Sequence, residues 1–166
     1  MKRRGCTALL FALWLLLGLS QAALAAGAED LILKKEADGK YGVVDKAGKV
    51  IVPADYDYAA IGETGLITVY LEGEDGETQG LFDWSGREIL PAVYQNISLL
   101  EDGTIAAGQG SWRTEEKYGL FDREGRELLP VIYDEIGPLS EGLRNVKLNG
   151  KAGYLDEDLQ VALPLE

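Results

Sequence analysis

The chain repeats itself, and this repeat constrains the fold more than any other feature of the sequence. The segment GVVDKAGKVIVP at 42–53 recurs as GLFDWSGREILP at 80–91, as GLFDREGRELLP at 119–130 and, more weakly, as GYLDEDLQVALP at 153–164. An aspartate follows the leading glycine by three places in every copy, and a proline follows it by eleven. The repeated positions are Gly42, Asp45, Gly48 and Pro53; Gly80, Asp83, Gly86 and Pro91; Gly119, Asp122, Gly125 and Pro130; and Gly153, Asp156 and Pro164.

The spacings show where the repeat varies. From the leading glycine to a second-turn glycine (Gly65, Gly103 and Gly142) the distance is 23 in each complete copy. From there to the next leading glycine it is 15, 16 and 11. Insertions at equivalent positions of a repeat array map to loops on one side of it. The joints, at 72–79 and 108–116, are therefore predicted to be loops that form one surface.

Each copy predicts a strand, a tight turn and a second strand. The aspartate can accept hydrogen bonds from backbone amides two or three residues on, and the turn glycine takes the left-handed conformation. In the fourth copy Leu159 stands where that glycine belongs. Proline cannot donate to a sheet ladder, so it is predicted to end the second strand. A third strand is expected near Tyr56, Tyr94 and Tyr133, and a fourth after each second-turn glycine.

These patterns predict an all-β fold, because no segment after the leader sustains a helical period. Adjacent apolar pairs such as Val43-Val44 predict strands buried on both faces, which neighbouring units supply. We expect one domain at 27–166, with units at about 40–78, 79–116 and 117–150, a partial unit at 151–166, and a leftover strand before the first. The predicted architecture is tandem four-stranded or β-hairpin repeats in an open array or solenoid; the alternative is a small propeller-like closure.

The first 26 residues have the layout of a signal peptide. Lys2, Arg3 and Arg4 precede an apolar stretch at 8–19 and small residues at 23–26. This pattern predicts an N-terminal signal helix, cleavage after Ala26 and a secreted or extracytoplasmic protein. The alternative is an N-terminal membrane anchor, since residues 5–28 form an uncharged run long enough to span a bilayer.

Composition removes several kinds of chemistry. The chain has no histidine, which excludes histidine-based triads, general bases and zinc sites. Its single cysteine, Cys6, lies in the leader, so the predicted mature chain cannot form a disulfide. That mature chain carries 28 acidic and 13 basic side chains. Such a charge disfavours nucleic acid and stable membrane insertion after cleavage, and it favours divalent cations, basic partners or simply solubility.

The repeat resembles the WG-repeat family, also called KWG repeats, over nearly all of residues 31–166. Lys40-Tyr41-Gly42, Lys117-Tyr118-Gly119 and Lys151-Ala152-Gly153 occupy the Lys-Trp-Gly position of that family, and Gln79-Gly80 is a degenerate copy. Tryptophan is absent from all four positions. The resemblance implies an exported bacterial β-repeat scaffold that serves recognition rather than catalysis, and it carries over no catalytic residue.

Tryptophans are the first candidate binding residues. Trp84 lies in a tight turn, and Trp112 lies beside Arg113 in the longest joint. Exposed tryptophan is enriched at binding hot spots and can stack on sugars. The alternative is that Trp112 covers the core. The recurrent tyrosines, Tyr56, Tyr94 and Tyr133, are interpreted as core residues.

An acidic joint is the candidate metal site. Glu72, Glu74, Asp75 and Glu77 could offer oxygen ligands to calcium, although their spacing lacks the ordered pattern of a calcium loop, and a solvated hairpin tip is the alternative. No catalytic residue and no other cofactor are assigned. The sequence therefore predicts a secreted or surface, non-catalytic binding module for an unknown protein or glycan. The alternatives are a secreted hydrolase using paired carboxylates and a calcium-stabilised scaffold.

Overall fold

The computed structural model describes residues 30–111 and 114–166. The predicted signal peptide and its helix, and also Trp112 and Arg113, lie outside the described residues. The described parts form strands β1 (Leu31–Lys35), β2 (Tyr41–Asp45), β3 (Val50–Tyr56), β4 (Tyr58–Ile61), β5 (Leu66–Gly73), β6 (Gly76–Asp83), β7 (Glu88–Tyr94), β8 (Asn96–Leu99), β9 (Ile105–Ser111), β10 (Thr114–Phe121), β11 (Glu127–Tyr133), β12 (Glu135–Ser140), β13 (Leu143–Leu148), β14 (Lys151–Asp156) and β15 (Val161–Leu163). No helix in these ranges is long and apolar enough to cross a membrane.

The strands form four antiparallel sheets in chain order, which confirms the predicted all-β repeat fold. Sheet 1 is β1-β2-β3, sheet 2 is β4-β5-β6-β7, sheet 3 is β8-β9-β10-β11 and sheet 4 is β12-β13-β14-β15. Every strand pairs with its sequence neighbour inside its sheet. Sheet 1 has one strand fewer than the others, and its first strand, β1, is the leftover strand predicted before the first unit.

Successive sheets are joined by single residues, Asp57, Gln95 and Asp134, each between the last strand of one sheet and the first strand of the next. The predicted third strand therefore starts two residues after the repeated tyrosine. A sequence repeat contributes its hairpin to one sheet and its next two strands to the following sheet.

Three hydrophobic cores lie between the sheets. Val43 packs with Ile67 and Phe82 between sheets 1 and 2. Leu81 packs with Ile105 and Phe121 between sheets 2 and 3. The third core, between sheets 3 and 4, contains Leu120, Leu129, Ile136, Val146 and Leu155. Adjacent residues such as Leu81 and Phe82 thus enter cores on opposite faces of one strand, as the paired apolar residues predicted.

The array is open. In the described residues β1 pairs only with β2 and β15 only with β14, and no ladder joins the two ends. The outer face of sheet 4 consequently leaves Leu143, Tyr154 and Leu163 exposed at 37%, 42% and 52%. Tyr154 occupies the repeat position that Val43, Leu81 and Leu120 bury against the next sheet.

The repeated proline does not end its strand, and that prediction was wrong. Pro53, Pro91 and Pro130 lie inside β3, β7 and β11. Each of these is an edge strand, and each shows a register shift against its partner across the proline, from Val43↔Val52 to Tyr41↔Tyr56 in the first case. An edge strand with a bulge has no ladder bond to lose at that residue, so proline is tolerated there. Only Pro164 follows its strand directly.

The bulge also explains the leading glycine. A Cβ on Gly42 would lie 2.6 Å from the Val52 carbonyl oxygen, and a Cβ on Gly80 would lie 2.8 Å from the Ala92 nitrogen. Equivalent contacts of 2.7 and 2.8 Å face Gly119 and Gly153. Backbone and side-chain atoms of the neighbouring bulged strand therefore leave no room for a side chain at the leading glycine.

The turn aspartates hold their hairpins. Asp45 Oδ1 accepts hydrogen bonds from the amides of Ala47 and Lys49, both at 2.9 Å. The same bonds, from the second and fourth residues rather than the third, form at Asp83, Asp122 and Asp156. Leu159 supports the fourth turn in the left-handed conformation, with φ 59°, and packs against the third core.

Candidate functional site

The joints predicted as loops are extended β-hairpins instead. Pairing of β5 with β6 continues to Gly73↔Gly76, which leaves Glu74 and Asp75 as a two-residue tip. Pairing of β9 with β10 continues to Ser111↔Thr114. Length variation does fall on this side of the array, because the strands of this hairpin are 8 residues long in sheet 2 and 6 residues long in sheet 4. The joints are therefore ordered by backbone hydrogen bonds between paired strands, and these hairpins form the surface beside the sheet junctions.

A carboxylate holds the first junction. Asp57 accepts a hydrogen bond from Lys40 Nζ at 2.7 Å and another from the backbone amide of Glu72 at 2.9 Å. The bond from Lys40 and the amide bond together lower the pKa of Asp57. This residue thereby ties the end of sheet 1 to the hairpin of sheet 2.

The third junction repeats the arrangement. Asp134 accepts a hydrogen bond from the amide of Gly150 at 2.7 Å and a short one from Lys117 Nζ. The amide bond and the ammonium lower the pKa of Asp134, and the bond to Asp134 raises the pKa of Lys117.

The second junction replaces both charges. Gln95 stands in the place of the aspartate and accepts a 2.6 Å hydrogen bond from the amide of Gly110 through Oε1. Thr78 stands in the place of the lysine and donates to the Ala92 carbonyl at 3.0 Å. The amide connection to the hairpin is kept while the ion pair is lost. All three junctions thus share one main-chain frame.

Three positions around this frame differ from junction to junction. They are the residue before the leading glycine and the two residues sixteen and twenty-eight places after it, and the last two pair directly across strands. We call each set a junction triad: Tyr41, Tyr58 and Tyr70; Gln79, Asn96 and Gly108; and Tyr118, Glu135 and Lys147. The first triad is aromatic, the second amide or small, and the third largely charged.

The aromatic triad forms a connected cluster. The ring centroids of Tyr41 and Tyr58 are 5.6 Å apart at 66°, and those of Tyr58 and Tyr70 are 5.8 Å apart at 45°. Tyr58 is half exposed. Burial, the nearby Glu77 carboxylate and the ionisable hydroxyl of Tyr58 raise the pKa of Tyr70.

The charged triad borders an open cleft of about 510 Å³ between the hairpins of sheets 3 and 4, lined by Glu115, Glu116, Lys117, Asp134, Lys147, Asn149 and Gly150. Beside it, the hydroxyl of Tyr118 donates a 2.8 Å hydrogen bond to Glu116 Oε2. Burial and this carboxylate raise the pKa of Tyr118 to about 12. The other oxygen, Glu116 Oε1, is buried and receives no hydrogen bond from the described residues.

A buried ion pair between sheets 3 and 4 was missed by the sequence reasoning. Arg144 is 2% exposed, donates to the Gly137 carbonyl at 2.7 Å, and makes a short ion pair with Asp102. Burial opposes ionisation of Asp102, but bonds from Thr104 and Arg144 outweigh it and lower its pKa. Counting from the leading glycine would have flagged this arginine, because Ile67 and Ile105 occupy the same repeat position.

Of the two tryptophans predicted to bind, the structure describes only Trp84. Trp84 is only partly exposed and packs against the first core, and its indole nitrogen is buried without a hydrogen-bond partner among the described residues. It therefore covers apolar surface instead of projecting freely from its turn. Trp112 and Arg113 lie outside the described residues, and their binding role stays a prediction.

The acidic joint spreads along its hairpin. Glu72 and Glu77 face each other across β5 and β6, while Glu74 and Asp75 form the tip. Within residues 30–111 and 114–166, no three acidic or cysteine side chains come together in a way that could hold a metal ion. Calcium binding by these four residues stays a prediction.

The comparisons with known proteins agree with the periodicity. The family model described as WG containing repeat matches residues 41–73 and 118–151. Both ranges begin at the tyrosine before a leading glycine and end at or beside the hairpin turn that the junction aspartate holds. No curated protein matches the chain.

Proposed function

Since the chain carries repeats of the WG family, we propose that it is an exported, non-catalytic recognition module whose contact surface is the row of junction triads. One observation carries the proposal: a single main-chain frame is repeated at three junctions, while the side chains it presents change from aromatic to amide to charged. The middle position of each triad is exposed, and folding alone gives it no reason to change from Tyr58 to Asn96 to Glu135. Surface positions that vary on a constant scaffold are typical of binding surfaces in repeat proteins.

Support for a non-catalytic role comes from the carboxylates. The four turn aspartates each bond two backbone amides, and the two junction aspartates each bond an amide and a lysine. Carboxylates engaged in this way hold structure and are poor candidates for a proton donor and a nucleophile in one site. We propose a protein or glycan partner outside the cytoplasm, and neither nucleic acid nor stable membrane insertion of the cleaved chain, because the mature chain is strongly acidic.

The proposal is tested by screening the chain on protein and glycan arrays. Three variants each alter one triad at an exposed residue: Tyr58→Ala, Asn96→Ala and Glu135→Gln. Glu124→Gln, in the turn between β10 and β11, is the control. We expect a bound partner that at least one triad variant weakens by about 10-fold or more and the control leaves unchanged. A partner that is unaffected by all three triad variants, or hydrolysis of an array oligosaccharide, would contradict the proposal.

Two further measurements address the remaining expectations. The mass of the protein recovered from an exporting host tests cleavage after Ala26, since an uncleaved product would indicate the membrane-anchor alternative. Trp112→Ala on the same arrays tests the tryptophan predicted to bind.

A further inference from the structure

The first junction carries an exposed patch of tyrosines and carboxylates on one face of sheet 2. Tyr58 pairs with Tyr70, Glu72 pairs with Glu77, and Tyr70 and Glu72 lie two residues apart on β5. Cross-strand partners share a face, and so do residues two apart along a strand. Tyr58, Tyr70, Glu72 and Glu77 therefore form one surface, which we call the tyrosine-acid patch.

The ring geometry of the patch favours a cation over a sugar. Successive rings are inclined by 66° and 45°, so they present no flat, coplanar platform on which a pyranose could stack. The exposed face of a tyrosine ring is electron-rich and can hold an ammonium ion without such a platform.

The chain itself shows that this cluster accepts an ammonium group. Lys35 Nζ lies 4.9 Å from the centroid of the Tyr41 ring. In the described part of the chain, no cation lies over the rings of Tyr58 or Tyr70, although Tyr58 is half exposed. The free rings can therefore take a cation from outside.

The two carboxylates of the patch repel each other. Like charges directly opposite each other on paired strands destabilise a sheet. Glu72 and Glu77 are such a pair, both are exposed, and neither side chain has an ion-pair or hydrogen-bond partner among the described residues. A bound cation would relieve this repulsion.

The surrounding charge matches a basic partner. Residues 57–95 contain eight acidic side chains and one basic one, Arg87, which pairs with Asp83. The field of sheet 2 therefore attracts positive charge and steers it toward the patch.

We propose that the tyrosine-acid patch binds a lysine or arginine side chain of a basic protein segment, with the tyrosine rings around the cation and Glu72 and Glu77 as its counter-charges. This inference rests on the proposed recognition function and names the partner for the first junction. The third junction, where Glu135 faces Lys147, offers mixed charge and does not share this preference.

The experiment measures binding of a ten-residue oligolysine peptide to the full chain by calorimetry at low salt. Oligoglutamate and a neutral oligosaccharide of similar length serve as alternative ligands. Tyr58→Ala removes a ring, Tyr58→Phe keeps the ring without its hydroxyl, and the double variant Glu72→Gln/Glu77→Gln removes the charge. The control Glu63→Gln/Glu101→Gln makes the same charge change in exposed turns, one of which lies at the opposite end of β5, about 25 Å away by strand rise.

We expect oligolysine binding that weakens about 3- to 10-fold in Tyr58→Ala and in the Glu72/Glu77 variant, and less than 2-fold in Tyr58→Phe and the control. The Glu72/Glu77 variant should also melt about 1–3 °C higher than the parent, because it removes the facing charges. That gain shows that its loss of binding is not a loss of folding.

Other outcomes overturn the inference. Equal weakening by the patch and control variants would mean that net charge alone attracts the peptide. Binding of the neutral oligosaccharide in place of oligolysine, lost in Tyr58→Ala, would make the patch a sugar site and leave the proposed recognition function standing. Absence of oligolysine binding, while an array partner still depends on Asn96 or Glu135, would likewise remove the inference alone. If no triad variant affects any array partner, the recognition function fails as well.

Discussion

Contact between successive sheets can be measured at the turn glycines, because two of them have the same backbone conformation and different neighbours. Gly48 and Gly125 both have φ +83°. A Cβ on Gly48 would have no atom within 4 Å, since no sheet precedes sheet 1 in the described part of the chain. A Cβ on Gly125 would lie 3.0 Å from the Ile89 carbonyl carbon in sheet 2 and would clash with its oxygen. Replacing each glycine by alanine therefore separates the cost of backbone strain, which both positions share, from the cost of a clash between sheets, which only Gly125 has.

Gly48→Ala is expected to cost about 1 kcal/mol, the penalty for a side chain in the left-handed region. Gly125→Ala carries that penalty and also pushes apart two packed backbones, which adds about 1–3 kcal/mol. For a domain of this size the difference corresponds to about 4–12 °C in Tm. Gly86→Ala, where a Cβ would meet the Ile51 carbonyl oxygen, should behave like Gly125→Ala.

The assay is urea unfolding followed by circular dichroism, with Tm values from calorimetry. Several transitions are possible in a repeat array, so the comparison uses the transition that Gly125→Ala affects most. Equal losses for Gly48→Ala and Gly125→Ala would refute the packing of each turn against the preceding sheet.

Three further predictions concern charged groups. Arg144→Ile should cost about 2–4 kcal/mol in urea unfolding because it leaves the Asp102 carboxylate without its partner. Asp102→Thr/Arg144→Ile introduces the residues found at the equivalent positions one unit earlier, Thr64 and Ile105, and should return to within about 1 kcal/mol of the parent. An equal loss in both variants would contradict the ion-pair account. The free energy of unfolding should be constant near neutral pH and fall as the pH drops toward and below about 4, because carboxyl groups whose pKa is lowered by folding stabilise the native state only while ionised. Asp102→Asn should lose less stability in acid than the parent does. Unchanged acid sensitivity in Asp102→Asn would mean that Asp102 does not contribute to that effect. In a spectroscopic pH titration one tyrosine, Tyr118, should ionise at about 12. Glu116→Gln should lower that midpoint without bringing it to the ordinary value for tyrosine, because the burial of Tyr118 remains. An unchanged midpoint would mean that Glu116 does not act on Tyr118.

The sequence predicts most of the fold because the repeat is encoded locally. Turn aspartates and glycines act on residues within four places of themselves, and paired apolar residues such as Leu81-Phe82 report burial on two faces without knowledge of the partner. The hairpins and the strand order follow from these short-range patterns, whereas the same patterns leave both an open array and a small propeller-like closure possible. The proline was misplaced because its tolerance depends on the bulged edge position of its strand, which local sequence does not reveal.

The candidate site depends on longer distances. Lys40 meets Asp57 seventeen residues away, and Arg144 meets Asp102 forty-two residues away. The sequence predicts loops at the joints because they are polar and rich in glycine, whereas in the structure cross-strand pairing continues to their tips. Comparing repeat positions within the chain would have exposed both the triads and Arg144, since an arginine at a position filled elsewhere by isoleucine stands out.

Removing one whole repeat tests the central claim, that the chain is a linear array of equivalent units joined by one frame. Deletion of residues 80–118 joins Gln79 to Gly119 and shortens the array by one sheet. It is made with Arg144→Ile, because Thr64 then takes the place of Asp102 beside that position. The account predicts that circular dichroism of this variant retains the β-sheet spectrum with a cooperative thermal transition, while deletion of residues 80–98, about half a repeat, does not fold. Loss of the β-sheet spectrum in both deletions would contradict it.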